Sequence, residues 1–382
     1  MTSSEKIRVA VLYGGRSPEH EVSVNSAANV MQHLDPILFD IVPIGIDKQG
    51  NWRLGNDILT QSLERQAVPS LQDSHHAWFT PEWVGKSEKK QELTDIMTVR
   101  SASRKQFDVI FPVVHGTYCE DGTLQGLLEL ANIPYVGCGV LASSVGMDKD
   151  ISKRLAIQSG IYVAPYLSIK RADWQKKQSQ WLSQIPATLG FPVFVKPANA
   201  GSSIGISKIK TAATLKNAIE HAFTFDSKVL VEKGLNVIEL EVAVLEALDV
   251  AAEPMVSVVG EVRSSHEFYS YEAKYVDSEG AELFIPAAIP EAVQTEARAM
   301  ARSLFQTLEC EGLARVDLFY DKDTEQLSFN EINTLPGFTS ISMYPKLMAA
   351  SGIAYTELLT HLVQLAIKRH AIKSQLLCSY AR

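Results

Sequence analysis

At 382 residues the chain is long enough for two to three domains of about 150 residues each. It is 46% hydrophobic and 21% charged, which excludes disorder, collagen and coiled coil as whole-chain descriptions. Lys plus Arg is 36 against 44 Asp plus Glu, a net charge of −8 that argues against a nucleic-acid binder but leaves room for a phosphate-bearing small ligand, which needs only a local cluster of donors.

Ile7 to Tyr13 is an apolar run broken only by Arg8, the mark of a parallel strand buried on both faces, and it ends at Gly14-Gly15. Ser17-Pro18-Glu19 then supplies an N-cap, a proline at the first helical position and an acid in the first turn. Val24, Ala27, Ala28, Met31 and Leu34 follow at helical spacing, and 39–46 is a second strand, completing a βα unit. Residues 50–106 are polar, with scattered Trp52, Trp78 and Trp83, and read as short hairpins and a surface insertion. The buried-strand pattern returns at 107–114, followed by a helix over 123–130 and a strand over 133–136.

A charged helix is expected over 148–159 and a polar helix over 172–184, whose Trp174 and Trp181 pack in its own core. Strands over 191–196 and 204–209 flank a Gly/Ser-rich turn. A helix over 211–223 and strands over 228–232 and 239–246 come next. Residues 260–283, with three tyrosines and little periodicity, read as a mobile loop. A helix over 290–308, a hairpin of 314–320 and 326–332, and an amphipathic helix over 355–372 complete the chain. Cys119, Cys138, Cys310 and Cys378 lack paired spacing, so free thiols in a reducing compartment are expected. Neither a signal peptide nor an apolar run near 18 residues is present, which makes the expectation a cytoplasmic protein without a membrane partner.

Four constellations carry chemistry. Lys196 precedes a Gly/Ser turn through Ser202, Ser203 and Gly205, where small residues let backbone N–H groups approach an anion. This is no Walker loop, because the turn leads into a strand, and the segment alone fits a nucleotide cradle or an ordinary hairpin. In the second, Arg315 and Asp317 share one strand face, as do Glu331 and Asn333. A hairpin symmetric about residue 324 sets Asp317 opposite Glu331 and Arg315 opposite Asn333. That gathers oxygen donors suited to Mg²⁺ with a guanidinium able to hold a phosphoryl group or an oxyanion. Asp, Glu and Asn are poor strand residues, which favours a metal site over a salt-bridged surface hairpin.

The third lies after the first glycine turn, where Glu19 and Glu21 either bind an ammonium group or cap the helix. The fourth is Tyr269, Tyr271, Lys274 and Tyr275, a lid over reactants or a surface loop. His75-His76 has no partner ligands and reads as a solvated pair.

Taken together, GGRSPEHEVS (14–23), HGTYCEDGTLQG (115–126), MDKDISK (147–153), VKPANAGSSIG (195–205), EAKY (272–275), RVDLF (315–319) and NEINTLPGFTS (330–340) resemble the D-alanine–D-alanine ligases of the ATP-grasp superfamily, in family order from end to end. The resemblance implies a multidomain α/β and α+β chain, an ATP-grasp fold behind an N-terminal Rossmann-like α/β domain. Its divisions are 1–137, 138–231 and 232–382, with ATP between the last two and a lid at 260–283. It implies ATP-dependent joining of two D-alanines through an acyl phosphate, for peptidoglycan precursor synthesis.

By the same resemblance Asp317, Glu331 and Asn333 hold Mg²⁺ or Mn²⁺, with two ions expected. Lys149, Lys196 and Ser203 meet the ATP phosphates, while Glu232, Lys233, Leu235 and Glu239 meet adenine and ribose. Gly234 stands where the family carries a bulkier residue. Glu19 holds the ammonium of the first D-alanine beside His115, and Ser202 and Tyr275 link to Glu19 to close the loop. Lys274 and Ser342 meet the carboxylate of the second D-alanine, and Arg315 with the Gly337 N–H stabilises the tetrahedral oxyanion. A homodimer is a family expectation. The competing readings are a D-alanine–D-lactate ligase, which Tyr275 disfavours, another ATP-grasp carboxylate–amine ligase, and an inactive ATP-binding scaffold, which the intact metal set disfavours.

Overall fold

The computed structural model describes residues 5–17, 19–54, 107–264 and 281–377. Lys274, Tyr275, the histidine pair 75–76, Trp78, Trp83 and Cys378 lie outside the described residues.

Three sheets carry the chain. In the first, β1 (Ile7–Gly14) pairs in parallel with β2 (Phe39–Ile46) and β4 (Val109–Val114), while β3 (Trp52–Leu54) joins β2 antiparallel. Val9 to Leu12 are fully buried, as a strand covered on both faces requires. Helix α1 (His20–His33) connects β1 to β2 and presents Ala27, Val30 and Met31 to the core. It starts two residues later than a cap at Ser17 predicts. The Ser17 hydroxyl accepts from the Glu19 N–H instead, and the Glu19 carboxylate is engaged elsewhere. Helix α2 (Thr123–Leu130) follows β4, and the strand expected at 133–136 reduces to a single parallel bridge between Ile110 and Tyr135.

Two helices then run in series. The sequence pattern missed α3 (Val140–Met147), whereas α4 (Lys149–Gln158) starts on Asp148, whose carboxylate accepts from the N–H groups of Asp150 and Ile151. The middle sheet has the order β5 (Tyr166–Lys170), β8 (Lys228–Lys233), β6 (Val193–Pro197), β7 (Ser207–Ile209). It is backed by α5 (Arg171–Leu189), which breaks at Lys177, and α6 (Ala212–Ala222). Trp174 is buried and Trp181 half-buried against this core, as expected. The strand placed at 204–209 begins only at Ser207, because Ser202 to Gly205 form a turn with Ser202, Ser203 and Gly205 in the left-handed region.

The third sheet runs β11 (Ala281–Phe284), β10 (Met255–Ser264), β9 (Val237–Leu245), β12 (Leu313–Asp321), β13 (Gln326–Asn333). The ends of the expected 260–283 loop are therefore strand: Val262 pairs with Leu283 and Glu261 with Phe284. One face of this sheet packs on α7 (Glu291–Thr307). The other face meets α8 (Met343–Ala350), also missed by the sequence pattern, and α9 (Tyr355–Lys373). Helix α9 buries Leu358, Leu359 and Leu362 in a core shared with Val9, Val11 and Leu313, so it wedges the first sheet against the third. Each such leucine contributes roughly 1.5–3 kcal/mol by burial.

Candidate active site

The hairpin β12–β13 has the register that its spacing predicts at the functional end. Arg315 faces Asn333 and Asp317 faces Glu331. Nearer the turn the pairs are Leu318–Phe329 and Phe319–Ser328, so Asn330 is an extra residue, a β-bulge. The Arg315 guanidinium forks onto Asp317, with Nε to Oδ1 and Nη2 to Oδ2 both at 2.7 Å. Its Nε also lies 3.0 Å from Glu241 Oε2, a neighbour that strand β9 brings opposite Asp317. Burial alone would lower the Arg315 pKa, but Asp317 and Glu241 outweigh it and hold the guanidinium charged. Asn333 Nδ2 donates to Asp317 at 3.0 Å.

Helix α4 aims two lysines at this sheet. Lys149 and Lys153, one turn apart, share a helix face. Lys149 Nζ reaches Glu331 at 2.9 Å and donates to the Ala200 carbonyl at 2.8 Å, bridging the hairpin to the Gly/Ser turn. Burial opposes its charge, yet the Glu331 carboxylate raises its pKa above the ordinary value. Lys196, on β6, meets Glu232 at 2.6 Å and Asn330 at 3.3 Å, so the bulged residue is part of the same network. Burial would raise the Glu232 pKa, but the ammoniums of Lys153 and Lys196 bring it below the usual carboxylate value.

These groups surround a cleft of about 450 Å³ between the middle and third sheets. Its walls include Lys149, Lys196, Ser202, Ser203, Glu232, Lys233, Leu235, Glu239, Asp317 and Glu331, so the structure gathers most of the predicted nucleotide and metal residues in one place. Lys233 is exposed, and its N–H donates to the Pro165 carbonyl. The neighbouring Gly234 is a glycine for a local reason: a Cβ there would lie 2.8 Å from the Pro192 carbonyl oxygen.

A second cluster lies at the end of the Gly/Ser turn. The Ser202 hydroxyl donates to Glu19 Oε1, across 183 residues of sequence. Ser202 and Ser203 have φ of 49° and 58°, costly for residues with a Cβ, and the Glu19 link holds the turn there. His115 is buried, with Nδ1 3.3 Å from Glu120 Oε1. Burial lowers its pKa, but Glu120 and the more distant Glu19 outweigh burial and raise it above the ordinary imidazole value. Burial and repulsion from Glu19 in turn push Glu120 up, only partly offset by His115. A Cβ at Gly201 would sit 3.6 Å from Glu19 Oε2 and 3.8 Å from Glu120 Oε2, so both carboxylates converge on the turn.

The third group is the turn before α8. A Cβ at Gly337 would meet Ser342 Oγ at 2.8 Å, and Ser342 Oγ accepts from the Thr339 N–H at 2.9 Å. Asn29 of α1 donates to the Phe338 carbonyl, anchoring this turn to the first sheet's helix. Sequence reasoning assigned no role to Lys153, Glu120, Glu241 or Asn330. The i,i+4 spacing from Lys149 was the available signal for Lys153. Glu241 and Asn330 depend on a strand pairing and a bulge that no local pattern announces.

Comparison with known proteins fits this geometry. Two family models match: "D-ala D-ala ligase N-terminus" over residues 8–138 and "D-ala D-ala ligase C-terminus" over residues 155–364. The D-alanine–D-alanine ligase A of Bradyrhizobium diazoefficiens is 48% identical over 99% of this chain and 100% of its own length. The D-alanine–D-alanine ligase A of Escherichia coli K12 is 44% identical over 97% of this chain and 99% of its own. Among solved structures, the VanG D-Ala:D-Ser ligase of Enterococcus faecalis has a TM-score of 0.77 at 34% identity, covering 95% of this chain and 100% of that one. The D-alanine–D-alanine ligase of Coxiella burnetii has a TM-score of 0.73 at 31% identity, covering 97% of each. The expected ATP-grasp architecture thus holds, and the chain belongs to the D-alanine–D-alanine ligase family.

Proposed function

We propose that the chain joins two D-alanine molecules into D-alanyl-D-alanine at the expense of ATP, for peptidoglycan precursor synthesis. The observation that carries this reading is one cleft in which Lys149 and Lys196 face Asp317 and Glu331, with the Glu19–Ser202 link closing its edge. A carboxylate is a poor electrophile. Attack of the first D-alanine's carboxylate oxygen on the γ-phosphorus breaks the bond to ADP and forms an acyl phosphate. The amine of the second D-alanine then attacks the carbonyl carbon, loses its proton, and expels inorganic phosphate.

This chain contributes position and charge to those steps. Lys149, Lys196 and Ser203 take the phosphates; Glu232, Lys233, Leu235 and Glu239 take the adenosine. Glu19 with His115 holds the first ammonium group. Arg315 and the Gly337 N–H meet the oxyanion, and Ser342 with Lys274 meets the second carboxylate. Tyr275 closes the lid, and water that would hydrolyse the acyl phosphate is kept out.

Asp317, Glu331 and the amide oxygen of Asn333 are hard oxygen donors on one face of the hairpin, a set that fits Mg²⁺ or Mn²⁺, with two ions in this reading. Mg²⁺ takes only one or two protein carboxylates and completes its shell with nucleotide phosphates and water. When bound, it neutralises charge on the transferring phosphoryl group. The functional divisions are 1–137, 138–231 and 232–382, and the working form is a cytoplasmic homodimer. Among the described residues no helix is long and apolar enough to cross a membrane.

The test is incubation with ATP, Mg²⁺ and D-alanine, reading phosphate release and dipeptide by mass spectrometry, with L-alanine, D-serine and D-lactate alongside. D-alanyl-D-alanine formed from D-alanine alone is expected. A larger yield with D-serine or D-lactate as acceptor would overturn the assigned acceptor, and phosphate release without any product would overturn the ligase reading. Tyr275→Phe is expected to shift the acceptor ratio toward D-lactate; an unchanged ratio removes Tyr275 from acceptor choice.

A further inference from the structure

Lys153 is fully buried and has no part in the chemistry above. Its ammonium lies 3.3 Å from Glu232 Oε1 on the middle sheet and 3.3 Å from the Phe329 carbonyl on the third sheet. Glu232 is gripped on its other oxygen by Lys196 at 2.6 Å. At the same place the segment that leads into β5 meets the third sheet: the Phe329 N–H donates to the Tyr162 carbonyl, and Val163 bridges to Phe329. A charge with no exposure is retained only where it is paired and hydrogen-bonded.

We infer that Lys153 is a positioning residue for nucleotide binding, which holds the Glu232 carboxylate in the orientation that reads the base and ties the two walls of the cleft together behind it. This rests on the proposed adenine contact of Glu232. Without Lys153, both Glu232 oxygens fall to Lys196. The carboxylate then turns toward the phosphate end of the cleft, and Lys196 is drawn off the phosphates. Burial lowers the Lys153 pKa to about 8, the mark of a site that tolerates this charge only because Glu232 is there.

The experiment uses the full chain and three variants: Lys153→Met, which keeps the length of the side chain and removes the charge, Glu232→Gln, and the double variant. ADP affinity is measured by calorimetry without D-alanine, and KM for ATP, ITP and D-alanine by phosphate release. Lys153→Met is expected to weaken ADP binding about 30-fold and to erase the preference for ATP over ITP. KM for D-alanine should stay within about twofold of the parent. In the double variant Lys153 and Glu232 lose their charges together, Lys196 keeps Asn330 as in Glu232→Gln, and the ADP affinity should match that of Glu232→Gln alone. A Lys153→Met protein with parental ADP affinity and base preference overturns the inference, as does an equal rise in KM for ATP and for D-alanine. If Lys153→Met does not fold, the double variant decides: ADP binding clearly weaker than in Glu232→Gln means Lys153 acts other than through Glu232. Unchanged ATP and ITP constants in Glu232→Gln would instead overturn the assignment of Glu232 to the base.

Discussion

The hairpin β12–β13 and the Gly/Ser turn between β6 and β7 face each other across the cleft and are built on opposite logic. In the hairpin, geometry comes from two paired strands, and each functional group is placed by counting residues: Arg315 opposite Asn333, Asp317 opposite Glu331. In the turn, Ser202 and Ser203 sit in left-handed backbone, held by a carboxylate from Glu19 at the other end of the sequence. Strand pairing makes a rigid site at low local cost. A strained turn makes a site that depends on a distant partner and that moves when the partner is lost.

The largest effect should come from breaking the hairpin's charge. Asp317→Asn is expected to reduce the ligation rate at least about 100-fold at saturating substrates, measured as dipeptide formed per enzyme. It also leaves the half-buried Arg315 with one charged partner fewer, so thermal unfolding should shift downward. A fully active Asp317→Asn protein would remove the assigned metal role.

Ser202 sharpens the contrast. Ser202→Ala loses the link to Glu19 and keeps the backbone cost, whereas Ser202→Gly loses the link and relieves the cost. Both should lose about tenfold in kcat/KM for D-alanine, because a hydrogen bond to a charged group is gone. Recovery of parental activity in the glycine variant alone would mean that backbone shape, not the hydroxyl, matters.

Gly234→Ala should act more mildly and on the nucleotide side. The new Cβ would press on the Pro192 carbonyl, costing about 1–3 kcal/mol of stability, with ADP affinity reduced several-fold and KM for D-alanine unchanged. The smallest effect is a titration. The His115 midpoint should lie above the ordinary imidazole value by NMR and fall in Glu120→Gln. With the folded pKa raised, the stabilisation from protonated His115 is full below the unfolded pKa and is lost as pH rises through the folded one. A midpoint unmoved in Glu120→Gln would place the raising charge elsewhere.

The same contrast explains how much was legible in the sequence. The hairpin's site face follows from a period of two, so spacing alone groups Arg315, Asp317, Glu331 and Asn333. The cap of α4 at Asp148 was equally local. Helix α3 escaped because its buried face carries Ser143 and Gly146 while the apolar Leu141 is exposed, and α8 because its short apolar stretch is buried on more than one side. The 133–136 segment has strand-forming residues but only one bridging partner, so tertiary context demoted it. The Glu19–Ser202 link and the Lys153–Glu232 pair join segments far apart in sequence; for the first, family resemblance was the route, and for the second nothing local spoke.

The bulge at Asn330 makes the hairpin portable only as a unit. Between the bulge and the turn, strand partners follow one register; beyond it, another. Deleting Asn330 would run Leu318–Phe329 and Asp317–Glu331 into one unbroken register and would remove the amide oxygen that Lys196 reaches. Loop-length changes at 322–325 would first be felt in the pairs adjoining the turn, with the bulge standing as a buffer before the functional pairs. Anyone transplanting this motif to another scaffold must therefore carry the supernumerary residue as well as the four that the pairing sets face to face, because it is the hairpin's tie to Lys196 on the middle sheet.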